Sequence, residues 1–170
     1  MVTLRATGKV QKYLPPAVEV SADSDTALGD WYVNRVFVGR QPLLLLVSEL
    51  SLLAVVVPAR DARTLPLRLR ELVGARLERL GVRRKVLASE LLAMGEVVVA
   101  KTNSRSVLGT MNDFAFLMPS YWEAGASQLQ GLAAVEGRLA ETPCLVSRKL
   151  SESFYPVEKA EQLLTAKWSP

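Results

Sequence analysis

Leu43-Leu44-Leu45-Leu46-Val47-Ser48-Glu49-Leu50-Ser51-Leu52-Leu53-Ala54-Val55-Val56-Val57-Pro58 decides how the rest of the chain is read. It holds two continuous apolar runs, Leu43 to Val47 and Leu52 to Val57, around Ser48-Glu49-Leu50-Ser51. Runs without alternation suit strands covered on both faces. A β-hairpin is the simplest join, and Pro58 ends its second strand. The stretch from Leu43 to Val57 is about 15 residues long and carries Glu49, so it is too short and too interrupted to span a bilayer.

Working toward the N-terminus, Trp31 to Val38 is aromatic and β-branched and closes on Gly39, which reads as a strand. Residues 17–29 carry Asp23, Ser24 and Asp25 and read as a surface loop. Gly8 to Leu14 gives one or two helical turns stopped by Pro15-Pro16, and Val2 to Ala6 alternates as a first strand. Toward the C-terminus, Leu65, Leu69, Leu72, Val73, Leu77 and Leu80 fall at helical spacing, with Gly81 as the stop. A second helix spans about Val82 to Met94. Val97 to Ala100 is a further central strand, and a helix follows from Arg105 to a break or kink at Pro119. Gln128 to Leu139 and Pro156 to Trp168 are the last helices. This order predicts an α+β domain: a mostly antiparallel sheet of about four to five strands with helices mainly on one face. Residues 1–144 read as a single domain, and residues 145–170 as a C-terminal extension with a short helix.

The chain has 170 residues, 49% hydrophobic and 22% charged, which is enough apolar material for a core and excludes wholesale disorder. One cysteine, Cys144, and no histidine exclude an intramolecular disulfide, a Cys/His zinc site and histidine base chemistry. No cofactor is implied. No secretory leader is read at Met1 to Arg5, so a cytoplasmic protein with no membrane association is expected.

The net charge of +4 is uneven. Nine Lys/Arg between Arg60 and Lys85 face Asp61, Glu71 and Glu78, so nine minus three leaves that segment at +6 and the rest of the chain at about −2. Arg83, Arg84 and Lys85 would sit in a helix's first turn, where they oppose the macrodipole. Either the helix begins later, or the charges are kept for a partner, or they lie among acids. A solvated helix face is the plain alternative.

Lys101-Thr102-Asn103-Ser104-Arg105-Ser106-Val107-Leu108-Gly109-Thr110-Met111-Asn112-Asp113-Phe114 is a strand end, a polar turn and a helix start. Free N–H groups and the positive dipole end make that geometry a natural anion site, to which Lys101, Thr102, Ser104 and Arg105 add donors. Arg105, Gly109, Asn112 and Asp113 share the face opposite Val107, Leu108 and Met111. Gly109 costs about 1 kcal/mol against Ala, which makes sense where something approaches the backbone. The alternative is structural: Asn103 or Ser104 only caps, Gly109 only admits a neighbouring element, and Asp113 bridges to Arg105 or another arginine.

Asp30-Trp31-Tyr32 forms a second cluster. Trp31 and Tyr32 point to opposite faces of a strand, one into the core and the other free to stack on a base. Asp30 would meet Asp113 or Lys101 only if the sheet joined them.

The ordered motifs Leu28-Gly29-Asp30-Trp31-Tyr32, Pro58-Ala59-Arg60-Asp61 and Ala100 through Phe114 resemble an uncharacterised bacterial family, a domain of unknown function. The resemblance runs from the first strand to about Cys144 and implies no activity, fold or catalytic residues.

The leading expectation is a non-enzymatic binding protein for nucleic acid or another polyanion, using a basic surface and the strand–turn–helix anion site. Its residues are Lys101, Thr102, Asn103, Ser104, Arg105, Asn112, Arg83, Arg84 and Lys85, with Asp30, Trp31 and Asp113 as further site candidates. Two other classes stay open. One is a protein–protein module (antitoxin-like, inhibitor or homodimer) using Leu163, Leu164 and Trp168. The other is a histidine-free, metal-dependent phosphodiester enzyme holding magnesium through Asp30, Asp113 and Glu49 or Glu96. No D/E-x-K triplet supports a nuclease of the common carboxylate–lysine type.

Overall fold

The computed structural model of the chain describes residues 1–122, 128–145 and 153–170. β3 (Gln41–Ser48) and β4 (Ala54–Pro58) form the expected hairpin, with Leu44 opposite Val57 and Leu46 opposite Val55. β2 (Trp31–Val38) runs antiparallel to β3. β1 (Val2–Ala6) lies parallel to β2 on one side and parallel to β5 (Val97–Lys101) on the other. The sheet order is β4-β3-β2-β1-β5. The class is α+β and the sheet is mixed, its antiparallel ladders making up the larger part.

Both faces of this sheet are apolar, and helices cover both. Leu44, Leu46, Val55 and Val57 enter one core with α1 (Gly8–Gln11), α2 (Leu65–Arg79), α3 (Arg84–Met94) and α6 (Pro156–Trp168). Leu43, Leu45, Val47, Ala54 and Val56 enter the other with α4 (Arg105–Tyr121) and α5 (Gln128–Ala140). Helices gathered mainly on one face would leave the second set of strand residues in water. At roughly 1.5–3 kcal/mol for each buried aliphatic side chain, that is too large a loss to accept.

Three local expectations change. Pro119 lies inside α4, which runs on to Tyr121; the proline has no N–H for the Ala115 carbonyl, and the helix ends two residues beyond it. Residues 17–29 are irregular, but Thr26 to Leu28 are buried rather than a surface loop. The buried Glu90 of α3 holds them, accepting from the Ala27 and Leu28 N–H groups at 2.8 and 3.1 Å and from Trp168 Nε1 at 2.6 Å. The tail helix is therefore spent on the fold: Leu164 is buried, and Leu163 and Trp168 pack against the first core. A short second sheet joins β6 (Cys144–Leu145) to β7 (Ser153–Phe154).

Both edges of the main sheet are occupied. The Val18 N–H bonds the Val99 carbonyl of β5 at 2.9 Å. On β4, the Val56 N–H donates to Glu136 Oε2 of α5 at 3.0 Å, and the Ala54 carbonyl accepts from Arg76 Nε of α2 at 3.2 Å. No helix among the described residues is long and apolar enough to cross a membrane.

Candidate functional site

β1, β2, β4 and β5 all point the same way, so their carboxyl ends share one rim of the sheet. Parallel arrangements place ligand sites at that end of the strands. The segments there are basic. Lys9 and Lys12 follow β1, Arg35 and Arg40 close β2, Arg60 and Arg63 follow β4, and Lys101 and Arg105 bracket the turn after β5. The acid among them, Asp61, pairs with Arg68 at 3.5 Å. None of the eight rim cations just named makes an ion pair with a carboxylate among the described residues.

The β5–α4 turn carries the sequence-predicted anion site. Ser104 is the N-cap of α4, its Oγ accepting from the Val107 N–H at 3.2 Å. Lys101, Asn103 and Arg105 are exposed and Thr102 is half-buried. The Tyr32 hydroxyl donates to Asn103 Oδ1, which turns the Asn103 amide N–H2 away from Tyr32 as a donor. Burial, with Glu49 beside it, pushes the Tyr32 hydroxyl's pKa up, so it stays protonated and able to donate. On α4, Arg105, Asn112 and Asp113 are exposed, and a Cβ added at Gly109 would meet nothing within 4 Å. No described neighbour therefore requires a glycine there. Asp113 makes no ion pair with Arg105; it faces Cys144, whose thiol burial and that carboxylate push up to about 11.

Beneath the turn lies a buried polar cluster on the α4 side of β1. Arg5 Nε donates to Asp30 Oδ2 at 2.5 Å, and Arg5 Nη1 to the Lys101 carbonyl at 2.9 Å. Ser24 Oγ donates to the other Asp30 oxygen at 2.6 Å. Asp30 thus meets neither Asp113 nor the Lys101 ammonium; it reaches the β5 end through Arg5. Glu49 lies alongside, accepting weakly from the Asp30 N–H at 3.4 Å, and burial together with the Asp30 charge raises its carboxyl pKa. Gly29, at φ +77°, lets this corner close: a Cβ there would stand 2.8 Å from Leu50 Cγ.

Other candidates fall elsewhere. Trp31 and Tyr32 do face opposite sides, but both are fully buried, Trp31 in the first core and Tyr32 in the second, so neither is a stacking platform. Arg83 is the N-cap of α3 and bonds Ser169 Oγ at 2.7 Å, while Arg84 and Lys85 are exposed in the first turn, with no acid in it. α3 and α4 lie on opposite faces of the sheet, so these three cations do not join the turn's cluster. Much of the basic segment serves the fold: Arg76 is buried, Arg79 pairs with Glu136 at 2.8 Å, and Arg68 with Glu71 at 3.4 Å. Among the described residues, no three Asp, Glu, Cys or His side chains come together, so Asp30, Asp113, Glu49 and Glu96 do not assemble a magnesium site. Sequence reasoning counts Arg60 and Arg63 in the basic segment without making them site residues, and does not single out Arg5, Lys9, Lys12, Arg35 or Arg40. Arg5 carried a signal, a charge on the alternate face of the apolar strand Val2 to Ala6; the rim needed the strand order.

An α+β domain with a cationic rim and no assembled metal donor set among the described residues is the class defined by fold and site. The chain belongs to the family described as a domain of unknown function, DUF6933, which it matches over residues 3–159. That match runs past Cys144 into α6, further than the sequence motifs reach. Neither a curated protein nor a solved structure matches the chain.

Proposed function

We propose that the protein is a non-enzymatic binding protein for nucleic acid, or another polyanion of similar charge spacing, with the carboxyl rim of the sheet as its contact surface. The observation that carries the reading is the row of cations along that rim, unpaired with carboxylates among the described residues. Five strands at about 4.8 Å spacing make the rim about 19 Å wide, which spans about five to six base-pair steps of duplex DNA. The β5–α4 turn adds neutral donors at one end: the Asn103 amide and the free N–H groups of α4's first turn. Such contacts give affinity with little sequence preference.

The test is fluorescence polarisation with single-stranded DNA, duplex DNA and RNA at low and moderate salt. Neutralising four duplex phosphates predicts a loss of about 100-fold between 50 and 200 mM salt. Lys101→Ala/Arg105→Ala should weaken binding to all sequences alike and reduce the salt slope by about 2. Absence of binding at low salt would sink the reading. Strands cut in magnesium would turn it into an enzyme.

The interaction-module reading has one specific observation in its favour. Phe116 is 85% exposed and lies on the same face of α4 as Arg105, Gly109 and Asn112. A stable dimer that dissociates in Phe116→Ser, without nucleic-acid affinity, would favour it.

A further inference from the structure

We propose that the cleft between α1, the β2–β3 hairpin and the 3-10 helix Ala59–Thr64 is a pocket for a phosphomonoester or pyrophosphate group. The cleft measures about 260 Å3 and is lined by Tyr13, Arg35, Pro42, Arg60 and Arg63, with Ala59 and Ala62 between them. It deepens the rim reading by naming one subsite, and rests on that reading only for the oligonucleotide arm of the test below.

Three features choose this ligand chemistry. The first is charge: three guanidinium groups line the cleft, none pairs with a carboxylate among the described residues, and arginine does not lose its proton. Like charges gathered in one concavity repel, and a dianion relieves more of that repulsion than a monoanion. A terminal phosphate carries nearly two charges, an internal phosphodiester one.

The second is geometry. Arg63 stacks over the Tyr13 ring at 5.7 Å and Arg35 over Phe37 at 5.2 Å, which limits the planes of two of the three forks. A guanidinium fork grips phosphate oxygens through two bonds at once. The third is the lining. The cleft has ample room for a phosphate or pyrophosphate group. Nothing apolar lines it deeply enough to hold a large organic body, with Pro42, Ala59 and Ala62 as its aliphatic walls.

Such a group comes either from a free phosphorylated small molecule or from the 5′ end of a nucleic acid. Isothermal titration calorimetry with pyrophosphate on the full chain, at constant ionic strength, tests the pocket by itself. Saturable one-to-one binding is expected, at least tenfold weaker in Arg60→Gln/Arg63→Gln and unchanged in Arg84→Gln/Lys85→Gln, two exposed cations off the rim. Both positions in the first variant are exposed, so the fold should survive, and a thermal melt checks it. A second arm compares a 5′-phosphorylated oligonucleotide with its 5′-hydroxyl form. A tenfold preference for the phosphorylated end assigns the group to nucleic acid; equal affinity beside saturable pyrophosphate binding assigns it to a free small molecule. No saturable pyrophosphate binding, or an equal loss in both double variants, overturns the pocket. Rim binding of oligonucleotides measured in the same preparation shows whether the wider reading falls with it.

Discussion

Gly109 is the residue on which the structural and functional readings of α4 part most cleanly. A glycine in a helix interior costs about 1 kcal/mol against alanine, and here no described side chain or backbone approaches close enough to require it. Gly109→Ala should therefore raise stability by up to about 1 kcal/mol, read as a higher melting temperature. If a ligand backbone uses that face, the same change should weaken oligonucleotide binding severalfold. A gain in stability with unchanged affinity would remove this helix face from the interface. The contrast with Gly29 is physical. Gly29 holds positive φ against Leu50, so alanine there is strained and crowded. Both glycines are plain in the sequence, but only their neighbours separate a packing glycine from an open one.

At the scale of elements, the edge strand β4 is the instructive case. An exposed edge offers free N–H and C=O groups to any passing strand. Here α2 and α5 reach it from opposite faces, Arg76 capping the Ala54 carbonyl and Glu136 the Val56 N–H. Arg76 also donates to the Glu136 backbone carbonyl at 3.2 Å, and Arg79 to its carboxylate. Burial raises the Glu136 pKa, while the Val56 N–H and the two arginines oppose that shift. Glu136→Ala leaves the Val56 N–H and the half-exposed Arg79 without their carboxylate partner, while the backbone carbonyl that Arg76 bonds is kept. The expected loss is about 1–3 kcal/mol, measured by urea unfolding, with a rise in aggregation by light scattering. A variant that unfolds at the wild-type midpoint would show that the edge needs no such cover. The helical periodicity of α2 and α5 was legible from spacing alone. That Arg76 is structural was not, because an arginine on a basic helix reads as solvated until the strand it reaches is known.

For the whole molecule, the question is whether residues 145–170 are an extension or part of the core. α6 buries Ala160 and Leu164 against the first core, and Trp168 bonds the buried Glu90 that pins Ala27 and Leu28. Two aliphatic contacts, a half-buried tryptophan and a hydrogen bond to a charged group sum to about 5 kcal/mol, comparable to a domain's total stability. Removing residues 156–170 should lower the urea midpoint steeply or abolish cooperative unfolding. An unchanged midpoint would leave the tail separable from residues 1–144.

Sequence alone determined the elements and the class, since hydrophobic period, prolines and glycines are local signals that survive without tertiary contacts. Strands at 31–38 and 97–100 and helices over 65–80 and from Arg105 to Pro119 follow from such signals and lie within a few residues of the observed bounds; the choice of Ser104 over Asn103 as the cap and the run of α4 to Tyr121 do not. It also placed the polar turn from Lys101 to Arg105 at a strand end. Tertiary structure decided what lies beside what. The two-sided cover of the sheet, the Arg5–Asp30 pair, the burial of both Trp31 and Tyr32, and the separation of Arg83 to Lys85 from α4 depend on strand order and on which face each helix takes. The cationic rim is the clearest example. Its members lie far apart in sequence and share one edge only because β1, β2, β4 and β5 point the same way.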